Sequence, residues 1–160
     1  MDTKLLRIYL QDHLAGATGG VELARRVRGS NRGSAFGDPL ARLADEIEAD
    51  KKALEGVIDD LGFGADRPKN AAAWTLEKAG RLKLNGRLTG YSPLSRMVEL
   101  EGLIGGVSSK ISLWETLIEV SAQEPRLDRE RLRRLAERGA EQRRTLEELR
   151  DRAARAAFLD

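Results

Sequence analysis

The side chains best suited to chemistry in this chain are a few polar residues in the middle of four apolar stripes. A stripe is the row of side chains, spaced by three and four residues, that forms the buried face of one predicted helix. His13, the only histidine, interrupts the first stripe, Asp50 the second and Gln142 the fourth. Glu101 lies beside the third stripe, one step from Ile104. Because an unpaired polar group in a bundle core costs roughly 1–3 kcal/mol, we expect His13, Asp50 and Gln142, with Glu101 at their edge, to form one buried polar layer.

His13 allows three interpretations. As a metal ligand it would need carboxylate partners for one divalent ion, and the candidates in the sequence are Asp50, Glu101, Glu48 and Glu141. Transition metals usually recruit more than one imidazole, so a histidine hydrogen-bonded to Asp12 or Asp50 is the competing interpretation. A general base would need a pocket and a second convergent group, and the sequence offers no Ser-His-Asp arrangement and no glycine-rich phosphate loop. We therefore expect no catalytic residue and no cofactor, with a bound divalent metal ion as the alternative.

Four long helices must position these residues. Apolar side chains recur at steps of three and four, which is typical of helices with one buried face, and the pattern predicts helices over residues 3–28, 39–61, 93–121 and 128–158. Asp38 with Pro39 and Ser92 with Pro93 are favourable helix starts. No strand pattern competes with the helices.

The connections predict how the four helices are arranged. Short links follow the first and third helices, so each of these pairs forms an antiparallel hairpin. The link over 62–92 is long, contains one short helical pattern around 71–82 that includes Trp74, and can run the length of a bundle. We therefore expect the second and third helices to be parallel in a single all-α domain over 1–160, a four-helix bundle with one long crossover.

Composition narrows the class of protein. The chain is 41% hydrophobic and 34% charged, carries a formal charge of +2 and has no cysteine, which excludes disulfides and thiolate chemistry. The N-terminus has no signal-peptide pattern and no window reaches the ~18 apolar residues of a membrane span, so we expect a cytoplasmic protein that does not bind membranes. The arginines of the last helix alternate with Glu and Asp, which indicates a solvated face and disfavours nucleic-acid binding. A scaffold whose basic helix contacts nucleic acid or an acidic partner is the remaining alternative.

Two helices carry glycine pairs four residues apart. Gly16 and Gly20 lie on the first helix, and Gly102 and Gly106 on the third. Because each glycine costs a helix up to ~1 kcal/mol relative to alanine, close approach of backbones should compensate for them. That approach can occur between the two helices within one subunit or across a dimer interface. We expect a homo-oligomer, most simply a dimer.

The segments "YLQDHLAGATGGVELARR" and "LARLADEIEADKKALEGVIDDLG", together with the helix order, resemble an uncharacterised ferritin-like family of high-GC bacteria. Di-iron members of that superfamily carry a glutamate on two helices and Glu-x-x-His on the other two. The corresponding positions here are Ile47-x-x-Asp50, or Glu48-x-x-Lys51, and Gly139-x-x-Gln142, so the motif is degenerate. The resemblance implies the ferritin-like bundle without di-iron chemistry, in a structural or protein-interaction role.

Overall fold

The computed structural model describes residues 1–64 and 91–159 and within them contains four helices and no strand. The helices are α1 (Thr3–Ser30), α2 (Gly37–Asp60), α3 (Pro93–Val120) and α4 (Arg129–Phe158). The predicted all-α class is thereby confirmed. The short helix expected around residues 71–82, together with Trp74, lies outside the described residues.

Side-chain caps start three of the helices. Asp2 accepts hydrogen bonds from the amides of Lys4 and Leu5, and Ser92 from that of Ser95, with Pro93 in the first turn. Asp128 caps α4 in the same way. Each cap pairs backbone N–H groups that the helix itself leaves free.

Helix α2 begins earlier than the sequence predicts. Asp38 was expected to be the cap, but the cap position is Phe36, which makes no side-chain capping bond, and Asp38 lies in the first turn. The preceding turn supplies the reason, since the Gly37 amide already donates to the Ser34 carbonyl at 2.9 Å. At the other end, Gly62 adopts a φ of 75° and ends the helix, as a glycine after a helix commonly does.

The helix directions follow from contacts at both ends of the bundle. Tyr9 near the start of α1 donates to Thr116 near the end of α3 at 3.3 Å, whereas Arg26 near the end of α1 pairs with Glu99 near the start of α3 at 2.9 Å. Helices α1 and α3 are therefore antiparallel.

Helix α2 is antiparallel to α1, because Arg25 pairs with Glu48 at 2.9 Å and Arg28 with Asp45 at 2.7 Å. It therefore runs parallel to α3, in agreement with the predicted arrangement.

The core consists of two apolar clusters, one toward each end of the bundle. The first cluster is built around Val27, Leu100 and Leu146. The second is built around Leu10 and Trp114 and includes several fully buried leucines. The middle of α1, residues 11–20, contains no fully buried residue. The two clusters leave a level between them where α2, α3 and α4 bring polar side chains together.

An ion pair at the α3–α4 turn ties the two hairpins together at one end. Arg126 donates to both carboxylate oxygens of Glu124, at 2.8 and 2.7 Å, and to the Leu61 carbonyl at 3.0 Å. Hydrogen bonds from Arg126 lower the pKa of Glu124 to about 2. The turn is thus fixed against the end of α2.

Buried polar contacts join the hairpins at the opposite end. Asn31, only 1% exposed, donates to the Tyr91 hydroxyl at 3.1 Å and accepts from Arg96 at 2.6 Å. Tyr91 in turn donates to Glu99 at 2.8 Å. Burial raises the pKa of the Tyr91 hydroxyl well above its ordinary value, so the phenol remains a donor.

Across residues 1–64 and 91–159, none of the helices combines the length and the apolar character that crossing a bilayer would require.

Candidate functional site

The carboxylate of Asp50 is the centre of the polar layer. Its side chain is 1% exposed, and both of its oxygens accept hydrogen bonds from other helices. One oxygen accepts from Lys110 of α3 and from the Gln142 amide of α4 at 3.0 Å; the other accepts from Arg138 of α4, whose Nε lies 3.0 Å away. Asp50 therefore carries hydrogen bonds from two cations and one amide.

Lys110 reaches the layer from α3. Its side chain is 15% exposed, and besides Asp50 it donates to Oε1 of Gln142 at 2.5 Å. Burial lowers the pKa of Lys110, and the nearby charge of Asp50 opposes that shift. The ammonium group is thus held between a carboxylate and an amide oxygen.

Gln142 completes the network with its amide nitrogen. That nitrogen donates to Glu46 as well as to Asp50, each at 3.0 Å. The two carboxylates, Glu46 and Asp50, are balanced by Lys110 and Arg138, so the layer has no net formal charge. Because breaking such a pairing leaves a buried charge without its partner, the network favours the arrangement in which α2, α3 and α4 meet at this level.

Gly139 makes room for this arrangement. A Cβ at that position would lie 2.8 Å from Cγ1 of Ile111 and 3.9 Å from Cε of Lys110. Helix α3 therefore packs directly against the bare backbone of α4 at the level of the polar layer. Gly139 lies one turn before Gln142. Among the glycines of α3 and α4, its Cβ position has the shortest distance to a described atom, 2.8 Å.

His13 does not join Asp50 and Gln142. Among the described contacts, the hydrogen-bond partners of Asp50 and Gln142 do not include His13. The half-buried imidazole stands edge-on to Tyr9, with ring centroids 4.5 Å apart.

The remaining carboxylates proposed as metal ligands are also dispersed. Glu101 is exposed and lines an open groove between α3 and α4 with Glu147 and Arg150. Glu48 pairs with Arg25, and Glu141 is exposed on α4. Among the described residues, no three Asp, Glu or His side chains converge in a way that could hold a metal ion.

Sequence reasoning found Asp50 and Gln142 but missed their cationic partners. A usable signal was present, because Lys110 is the one charged residue between Glu101 and Glu115 on a helix otherwise apolar or small there. A lone charge in such a segment needs a buried counter-charge or a path to water. Arg138 carried no comparable signal, since it is one of many arginines on α4.

The glycine pairs behave differently from one another. A Cβ at Gly102 would lie 3.1 Å from Cδ2 of Leu23, so α1 and α3 approach closely there. At Gly16, Gly20 and Gly106 a Cβ would meet no described atom within 4 Å. Among the described residues, packing within the subunit therefore accounts for Gly102, and the other three glycines have no such contact there.

Replacing an uncontacted glycine by alanine should stabilise the subunit. Gly105→Ala and Gly106→Ala each recover helix propensity without a steric cost within the described subunit, so in dilute, monomeric protein each should raise the free energy of unfolding by up to ~1 kcal/mol. Gly102→Ala gives the matched comparison and should gain less, because Leu23 has to move. Urea unfolding of the three variants checks this, and a loss of stability at Gly105 or Gly106 would show that a neighbour is present.

His13 should make stability depend on pH near neutrality. Burial lowers its pKa below the ordinary value, partly offset by the charge of Asp12. The unfolded chain therefore takes up the proton first, so the free energy of unfolding is fully maintained above about pH 6.5 and falls as the pH drops below that value.

Urea titrations between about pH 7.5 and 5.5 test this dependence, and His13→Gln should flatten it. The acidic residues with lowered pKa, such as Glu124, titrate well below this window. A slope that persists unchanged in His13→Gln would assign the pH dependence to another group.

Acidic side chains interrupt the arginine-rich surface of α4. Three of its arginines pair with acidic residues of the same helix, in the pairs Arg133–Glu130, Arg143–Glu147 and Arg150–Asp151. Such pairs contribute little stability, but they interrupt the single-sign stripe that a nucleic-acid backbone would need.

The chain matches no protein-family model, no curated protein and no solved structure. The fold and the polar layer therefore define its class by themselves. Over residues 1–64 and 91–159 it is an all-α, four-helix bundle, in which an internally paired ionic layer separates two apolar clusters.

Proposed function

We propose that this protein is a non-catalytic bundle of ferritin-like topology that serves as a structural or protein-interaction module and self-associates. The observation that carries the proposal is that both carboxylate oxygens of Asp50 already accept hydrogen bonds from side chains of the protein itself. In a metal-binding bundle a mid-helix carboxylate would offer its oxygens to an ion, whereas here both oxygens accept from Lys110, Arg138 and Gln142.

The electrostatics of the layer support the same conclusion. A divalent cation beside Asp50 would stand next to the Lys110 ammonium and the Arg138 guanidinium, and it would have to displace both. Displacement would leave Lys110, at 15% exposure, buried without its counter-charge, and an uncompensated buried charge is strongly unfavourable.

The helix directions support the ferritin-like topology. Helix α2 runs parallel to α3, while each sequential hairpin is antiparallel, as in bundles with one long crossover. Self-association is supported by the uncontacted glycines on α1 and α3, where backbone is left uncovered within the described part of the chain.

Metal content and metal response test the non-catalytic part of the proposal. Elemental analysis of the purified, untagged protein should find no stoichiometric transition metal. Added Fe²⁺, Mn²⁺ or Zn²⁺ should leave the melting temperature unchanged, because a ligand that binds only the folded state must raise it. One metal per chain, with a melting shift lost in His13→Ala and Asp50→Ala, would instead establish the metal-binding function.

A further inference from the structure

The outer surface of α1 and α3 contains an uncharged area in a chain that is one-third charged. Between Asp12 and Glu22, α1 has no Asp, Glu, Lys or Arg. Between Glu101 and Glu115, α3 has only Lys110, which turns inward to Asp50. Each helix therefore has a surface segment without outward charge.

The two uncharged segments lie side by side. The antiparallel contacts between α1 and α3, Tyr9 with Thr116 and Arg26 with Glu99, place residues 13–21 of α1 beside 104–112 of α3. Together they form one face two helices wide, which we call the α1/α3 face. Two apolar side chains extend it toward the start of α1, Leu5 at 63% and Ile8 at 46% exposure.

Four glycines on this face have no described neighbour above their backbone. A Cβ at Gly16, Gly20, Gly105 or Gly106 would meet no atom of the described residues within 4 Å. Each costs its helix up to ~1 kcal/mol relative to alanine, and no contact in the described part of the chain offsets that cost. A helix packed on the outside could approach these bare backbones closely.

The charges at the edge of the face indicate what packs there. Asp12, Gly19 and Arg26 are spaced by seven residues, so they share one row along α1. An antiparallel copy of α1 centred on Gly19 would bring Asp12 of each chain opposite Arg26 of the other. The row is therefore complementary in charge to itself.

We propose that a second copy of this chain packs its α1 antiparallel across the α1/α3 face, on a two-fold axis at Gly19. This inference rests on the self-association proposed above and specifies its surface. Arg26 remains 40% exposed beside Glu99, so its guanidinium can donate to a second carboxylate. The uncharged residues 13–21 over two helix widths cover about 270 Å² per copy, so the contact has to extend along α1 to residues 8 and 30 to reach about 700 Å², near the ~800 Å² of a standard interface.

Engineered cysteines test the position of the axis, because the natural chain has none. Gly19→Cys should form a disulfide between two chains under mild oxidation, since residues on the axis meet their own counterparts at short distance. Ala49→Cys, exposed on α2, is the matched control and should stay uncrosslinked. Sedimentation of the reduced wild-type protein measures the dimer independently.

A charge reversal tests the proposed pairing. Asp12→Arg would set two arginines opposite each other at both ends of the contact and should weaken the dimer at least about tenfold. Glu148→Arg makes the same change of charge on α4, diagonal to α1, and should leave the dissociation constant unchanged.

The outcomes separate this inference from the proposed function. A wild-type dimer with an inert Gly19→Cys and an unaffected Asp12→Arg would place self-association on another surface and overturn the α1/α3 face alone. A wild-type protein that is monomeric at its highest soluble concentration, as expected if residues 65–90 of the same chain cover the face, would overturn both.

Discussion

Replacing Asp50 by alanine should lower the free energy of unfolding by about 3–5 kcal/mol, because the substitution leaves Lys110 buried without its counter-charge. Lys110 is 15% exposed and cannot move into solvent as freely as Arg138, which is 37% exposed. The melting temperature should fall by roughly 10 °C for a chain of this length. Urea unfolding and calorimetry measure both quantities.

A surface carboxylate supplies the control for this substitution. Asp45 pairs with Arg28 at 2.7 Å but is 70% exposed, so Asp45→Ala should change the free energy of unfolding by less than ~1 kcal/mol. Equal losses from Asp45→Ala and Asp50→Ala would mean that the buried layer contributes no more than a surface ion pair.

Alanine at position 139 should destabilise the protein, although alanine is the better helix former. The new Cβ would lie 2.8 Å from Cγ1 of Ile111, and overpacking of this kind costs about 1–3 kcal/mol. The gain in helix propensity of up to ~1 kcal/mol offsets only part of that cost. We expect a net loss, opposite in sign to the gain from Gly105→Ala.

The clash can be relieved to confirm its origin. In Gly139→Ala/Ile111→Ala the offending atom is gone, so the loss from Gly139→Ala should be smaller in the Ile111→Ala background than in the wild type. If Gly139→Ala stabilises the wild-type protein as Gly105→Ala does, then α3 does not approach α4 as closely as described.

Much of the fold could be predicted from spacing alone. Steps of three and four marked the four helices, and the unequal connections indicated that α2 and α3 run parallel. The stripe positions of Asp50 and Gln142 were sufficient to expect that they would be buried together, because both are polar residues in otherwise apolar stripes. Their contact at 3.0 Å is consistent with that reasoning.

The cations of the polar layer could not be predicted from the apolar stripes, because a stripe shows which residues share a helix face but not where a long side chain ends. Lys110 and Arg138 have long side chains, and their helical positions show where each Cα lies but not where the charged group ends. His13 was expected in the layer because it interrupts the first stripe. In the structure its ring stands edge-on to Tyr9, and the described contacts of Asp50 and Gln142 do not include it, because a stripe position does not specify which side chains meet across helices.

The glycines illustrate the same limit. From sequence, Gly102 and Gly106 are equivalent members of one pair. In the structure Leu23 lies 3.1 Å from the Cβ position of Gly102, whereas no described atom lies within 4 Å of that of Gly106. Which member of such a pair is covered depends on the neighbouring helix and not on the spacing of the glycines.

The central claim is that the chain's own cations occupy the mid-bundle carboxylate. NMR of the lysine side-chain amines during a Mn²⁺ titration tests this most directly. The Lys110 ammonium should give a resonance protected from solvent exchange, lost in Asp50→Ala and not broadened selectively by Mn²⁺. A freely exchanging Lys110, together with selective Mn²⁺ broadening of the residues around Asp50, would show that the layer is a metal site.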